Sequence, residues 1–143
     1  MRLRLTAFAL AALAVTACGG DKSVGPSGTV TGSYTLQSFN GKQVPVTVSD
    51  NGTTRAELLG GTLALNANSS YTESVTVRET VTGLSPATQT TTCSGTWTQA
   101  SNTVSFTEAP SVTGGCGGSY AGMFTNENTL SLTLGGGTLV YTK

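Results

Sequence analysis

From Gly32 onward apolar and polar residues alternate in short runs cut by turn residues, the period-2 signature of half-buried strands. Gly32–Phe39 reads as the first strand, ended by Asn40-Gly41, a strong hairpin signal. Residues 44–48 read as a second, short strand. Pro45 removes a ladder donor there, which predicts an edge, a bulge or a barrel rim. Asp50-Asn51-Gly52 is a turn, and residues 55–59 fit either a helical turn or an irregular lead-in. Further strands are expected over residues 61–66, 70–81, 88–99, 104–107, 119–125, 129–134 and 138–142. In residues 70–81, Tyr71, Glu73, Val75, Val77, Glu79 and Val81 share one face. Turns fall at Ala67-Asn68-Ser69, Ser101-Asn102, 126–128 and 135–137, and loops at 83–86 and over the Gly-rich residues 109–118.

About eight strands with tight turns and no crossover helix leave two all-β architectures, an antiparallel up-and-down barrel and a β-sandwich. Sequential hairpins without a long return connection favour the barrel. Residues 102–107 (Asn-Thr-Val-Ser-Phe-Thr) and 128–133 (Asn-Thr-Leu-Ser-Leu-Thr) match each other, as a repeated hairpin in a meander would. A barrel of about eight strands has room for packed side chains or one small ligand.

Ahead of this domain, Arg2 and Arg4 precede an apolar run over residues 5–15, too short to span a bilayer. Val15-Thr16-Ala17-Cys18 then resembles the lipobox of bacterial lipoproteins. The resemblance implies a signal peptide over residues 1–17, lipid on Cys18, and a protein anchored in the bacterial cell envelope. Two or three acyl chains hold a domain to a membrane durably, where one does so only marginally. Gly19 and Gly20, with no aspartate directly after Cys18, lean toward the outer membrane. Residues 18–28 are rich in Gly, Ser and charge and read as a flexible tether, leaving 29–143 as the domain.

Cleavage changes the charge count. Five of the seven basic side chains remain against seven acidic ones, so no basic patch favours nucleic acid. It also changes the cysteine count. With Cys18 lipidated, Cys93 and Cys116 remain, and an even pair in an oxidising compartment reads as a disulfide.

Gly32-Ser33-Tyr34, on the first strand, resembles the Gly-x-Trp signature of lipocalins with Tyr in place of Trp. With Asn40-Gly41-Lys42, the Pro-containing strand and the closing Gly137-Thr138-Leu139-Val140-Tyr141, it is similar to small lipocalin-like domains of bacterial lipoproteins. The resemblance implies a lipocalin-like barrel with a small apolar or amphipathic ligand. The arginine that lipocalins carry near the last strand is not evident. Tyr34, Tyr71, Trp97, Phe106, Tyr120 and Phe124, with Tyr141, are the side chains able to line such a cavity, but a small barrel has few other large side chains to fill it, which favours their use as core. A filled barrel would instead act through its surface as an interaction or inhibitor module.

Catalysis is not expected. The chain has no histidine, which removes Ser-His-Asp and Cys-His chemistry and the commonest zinc ligand. Residues 114–118 are Gly-rich but lack the Lys-Ser/Thr of a phosphate loop. No cofactor or metal is expected. Glu73 and Glu79, in phase with the apolar face, either sit at barrel ends, pair with Arg55 or Arg78, or mark a polar interior that receives a ligand.

Overall fold

The structure, a computed structural model, describes residues 25–26, 28–110, 116–134 and 136–143. The leader, Cys18, most of the expected tether and residues 111–115 of the Gly-rich loop lie outside the described residues.

Among the described residues ten strands follow one another: β1 Gly32–Phe39, β2 Lys42–Gln43, β3 Val46–Asp50, β4 Thr54–Leu65, β5 Ser70–Val81, β6 Ala87–Ala100, β7 Thr103–Glu108, β8 Gly118–Asn126, β9 Thr129–Leu134 and β10 Gly137–Thr142. From β4 to β10 each strand pairs antiparallel with the next in sequence. β1 then pairs with β10 on one side and β4 on the other, and the ring closes. The result is an eight-stranded up-and-down barrel, lipocalin-like in architecture; the two stacked sheets of a sandwich are not formed. Closure abolishes most of the free edges that an open sheet would carry.

The seam between β1 and β4 is short. Residues 32–35 pair with 62–65, after which the two strands part. β2 then lies against the end of β1, and β3 against the first half of β4. Of the expected strand over 44–48 only residues 46–48 are strand, in β3; Val44-Pro45 joins β2 to β3, with the Val44 N–H bonded to the Gln37 carbonyl at 3.0 Å.

Residues 55–59 are neither a helical turn nor a lead-in. They belong to β4, whose register against β5 breaks between Leu58 and Gly60. The bulge shifts the parity of the strand, so Leu58 on one side of it and Leu63 and Leu65 on the other are all buried. Alternation cannot be read through such a shift.

The inner face carries the core. Tyr34, Leu63, Val104, Phe106, Leu130, Leu132 and Tyr141 have no exposed surface. Burying each such aliphatic or aromatic side chain contributes about 1.5–3 kcal/mol. Cys93 on β6 and Cys116, just ahead of β8, form the expected disulfide, with Cα atoms 5.6 Å apart.

Candidate functional site

β5 alternates strictly, so Tyr71, Glu73, Val75 and Val77 point inward while Thr72, Ser74 and Thr76 point out. Glu73 is the one buried charged residue among the described residues, at 7% exposure. A carboxylate there is costly unless its oxygens are bonded. Both are. Tyr141 on β10 donates its hydroxyl to Oε1 at 2.5 Å, and Tyr120 on β8 donates to Oε2 at 3.1 Å. The Tyr120 oxygen also lies 3.3 Å from the Tyr71 oxygen. Phe106 completes an aromatic box, edge-on to Tyr71 and stacked on Tyr120, each with ring centroids 4.9 Å apart.

Burial pushes the Glu73 carboxyl above its ordinary range, the two tyrosine hydrogen bonds pull it back, and the Glu108 carboxylate adds a smaller upward push. Burial, then the charge on Glu73, raises the Tyr120 and Tyr141 phenols far above theirs. Glu108 is tied in turn, its Oε2 accepting the Gly117 N–H at 2.6 Å. Cys93 stands opposite Glu73 in the β5–β6 register, so the disulfide is planted beside the carboxylate and holds the start of β8 against it.

The two glutamates on this face therefore part company. Glu79 is exposed, as a barrel end allows. Glu73 is neither at a wet end nor paired with an arginine. Arg55 and Arg78 are on the outer wall, where both bind Glu57: Arg55 Nη2 at 2.8 Å from Oε1, and Arg78 Nε and Nη2 at 2.9 and 2.6 Å from Oε2. Those contacts hold the Glu57 carboxyl below its ordinary range. Glu57 went unremarked in the sequence because its partner Arg78 faces it only through the β4–β5 register.

Toward the other end of the interior, Tyr34 donates its hydroxyl to the Val30 carbonyl at 2.5 Å and lies 3.0 Å from that of Glu127. Burial and the nearby Glu127 push its phenol up to about 12. Lys143 sets its ammonium 5.3 Å from the centre of the Tyr34 ring and donates to the Thr29 carbonyl at 2.5 Å. A cation thus does stand after the last strand, as lysine rather than arginine. Trp97 donates its indole N–H to the Asn66 carbonyl at 3.2 Å.

The six aromatic candidates all reach the interior, in two groups. Tyr71, Phe106 and Tyr120 surround Glu73; Tyr34 and Phe124 pack at 6.2 Å further along, and Trp97 pairs across from Phe106. Tyr120 is half-buried and the other five are buried. Among the described residues, no group of three or more His, Cys, Asp or Glu is arranged to hold a metal ion.

These features define a small all-β protein with a closed up-and-down barrel and one satisfied carboxylate inside it. No family model matches the chain, and no curated protein sequence matches it.

Proposed function

We propose that this chain is a lipid-anchored protein of the bacterial cell envelope. Its lipocalin-like barrel serves as an interaction module filled by its own side chains, and not as a carrier of a small apolar ligand. The observation that supports this most is the packing around Glu73. Pockets for small ligands have about 300 Å³ or more to offer, and here Tyr34, Leu63, Val104, Phe106, Leu130, Leu132 and Tyr141 are fully buried on the inner face, with Val75, Val77 and Tyr120 packed against that core. The carboxylate, the obvious polar hook for a ligand, already receives a tyrosine on each oxygen. A ligand would have to displace that box at the cost of its hydrogen bonds. Anchorage rests on the lipobox at residues 15–18, with outer-membrane residence suggested by Gly19 and Gly20. No reaction is proposed: the chain has no histidine, and among the described residues both oxygens of the one buried carboxylate, Glu73, are engaged.

The test has two arms. Cells fed labelled palmitate should label the wild-type protein and not Cys18→Ala; equal labelling of both removes the anchor. The detergent-extracted protein titrated with a fatty acid or an apolar dye should show no saturable change in Trp97 fluorescence. Saturable one-to-one binding overturns the filled module and restores the carrier.

A further inference from the structure

In an up-and-down barrel alternate turns lie at opposite ends. The turns at 66–69, 101–102 and 126–128 therefore share one end with the start of β1 and the end of β10, and the β5–β6 hairpin turn at 82–86 lies at the other. Ahead of β1, residues 25–26 and 28–31 run across the first end. Lys143 Nζ donates to the carbonyls of Thr29, at 2.5 Å, and Thr31, at 3.3 Å. The Val30 carbonyl accepts the Tyr34 hydroxyl, and Val30 itself is buried. A Cβ on Gly28 would sit 2.8 Å from the Glu127 side chain, in the β8–β9 turn. A Cβ on Gly25 would sit 2.5 Å from the Ser101 carbonyl oxygen, in the β6–β7 turn.

Those contacts trace a strap over the mouth. Round the ring from β1, the β6–β7 turn comes after β4 and β5 one way and after β10, β9 and β8 the other. It stands nearly opposite β1, so a chain that reaches Ser101 has crossed the opening. The strap also moves the point where the chain leaves the barrel, from Gly32 to Gly25. Each residue step spans at most ~3.3–3.6 Å. From Cys18 to Gly25 is seven steps, about 23–25 Å at full stretch, and to Gly32 it is fourteen, about 46–50 Å. The strap halves the reach.

We infer, resting on the lipid at Cys18 proposed above, that the strapped end is the surface this protein sets against a lipid bilayer, with the 82–86 hairpin pointing away. β5 alone advances eleven residue steps from Ser70 to Val81, about 25–30 Å along the axis at a strand tilt of roughly 35–45°. To stand the barrel on that hairpin, Gly25 would have to rise by this height plus the turns at both ends. Seven residue steps do not reach. Charge does not oppose the contact: among the described residues the charged side chains at this end are Glu127 and Lys143, which cancel. The mouth turned to the lipid is also the strapped one, where Val30 and Tyr34 are buried, so acyl chains meet a plug there.

Dyes on two single-site variants test it: Ala67→Cys, in the exposed 66–69 turn, and Leu84→Cys, exposed at the hairpin tip. The bond between Cys93 and Cys116 blocks both, and the lipid blocks Cys18, so one thiol takes the dye. The full chain, extracted with its anchor, is placed on the outside of phosphatidylethanolamine and phosphatidylglycerol vesicles that carry energy acceptors on their headgroups. Transfer from position 67 should be several-fold more efficient than from position 84. Adding Gly25→Val and Lys143→Ala, which drive the strap off Ser101 and remove its ammonium clamp, should bring the two efficiencies together with the fold intact by circular dichroism. Equal transfer from both positions, in protein that floats with the vesicles, overturns the orientation and leaves the anchor standing. A difference that strap release leaves unchanged overturns the strap as its cause. Protein that floats no better than Cys18→Ala overturns anchor and orientation together.

Discussion

Glu73 offers the sharpest test of the interior, because two substitutions around it should act with opposite signs. Tyr141→Phe deletes the hydroxyl that bonds Oε1 at 2.5 Å and leaves a buried acceptor short of a donor. A hydrogen bond to a charged group is worth about 1.5–3 kcal/mol. For a domain of this size each kcal/mol moves Tm by roughly 4 °C, so Tyr141→Phe should melt about 6–12 °C lower at neutral pH. Glu73→Gln keeps the shape, still accepts from Tyr141, and removes the charge that burial disfavours. The carboxyl is held above its ordinary 4.5 in the fold. The folded state therefore binds the proton more tightly than the unfolded chain does. The stability this gives is fully present below 4.5 and is lost as pH rises through the folded value, at about 1.4 kcal/mol for each unit of elevation. Glu73→Gln lacks that decline, so relative to the wild type it should gain stability as pH rises from acid to neutral. Glu57, whose carboxyl Arg78 holds low, tilts the other way but is common to both proteins and drops out of the comparison. The two changes should also couple: once Glu73→Gln is in place, the Tyr141→Phe loss should shrink to that of a neutral bond, about 0.5–1.5 kcal/mol. Thermal and urea unfolding of the wild type, the two single variants and the double variant across this pH range measures all of this. Equal Tyr141→Phe losses with and without Glu73→Gln, or a wild type that gains on Glu73→Gln as pH rises, would refute the reasoning.

Two further outcomes follow from the backbone. A Cβ on Gly95 would run into the Thr107 carbonyl oxygen, so Gly95→Ala must push β6 and β7 apart; it should lower stability by about 1–3 kcal/mol or more in urea unfolding. Replacing both Cys93 and Cys116 by Ser opens a loop spanning 23 positions, and by the chain-entropy relation should cost about 3 kcal/mol, read as a lower urea midpoint.

The barrel was legible in the sequence because its strands obey local rules: β1, β5 and β9 begin and end where turn residues predict. Legibility failed where the rule breaks inside a strand. The bulge at Leu59 puts Leu58 on the inner face out of step with Leu63, and no periodicity crosses that shift. Glu73 was conspicuous as a charge on an apolar face, yet its partners were not. Tyr120 and Tyr141 reach it from β8 and β10, strands that meet it only across the barrel interior, and nothing in spacing along β5 announces them. The same holds for Lys143 over Tyr34, more than a hundred positions apart in the chain. The Cys93–Cys116 bond was reached by counting and compartment, arguments that need no geometry.

The filled interior is tested most directly by the ionisation of the tyrosines, followed through tyrosinate absorbance as pH is raised. The four in the chain are Tyr34, Tyr71, Tyr120 and Tyr141, and burial raises every one of them above the ordinary 10.0, Tyr34 to about 12. The folded protein should therefore pass through pH 10 with almost no tyrosinate, then ionise together with alkaline unfolding. A reversible step near pH 10 in the folded state, equivalent to two or more tyrosines, would mean a wet and open cavity and would contradict the account.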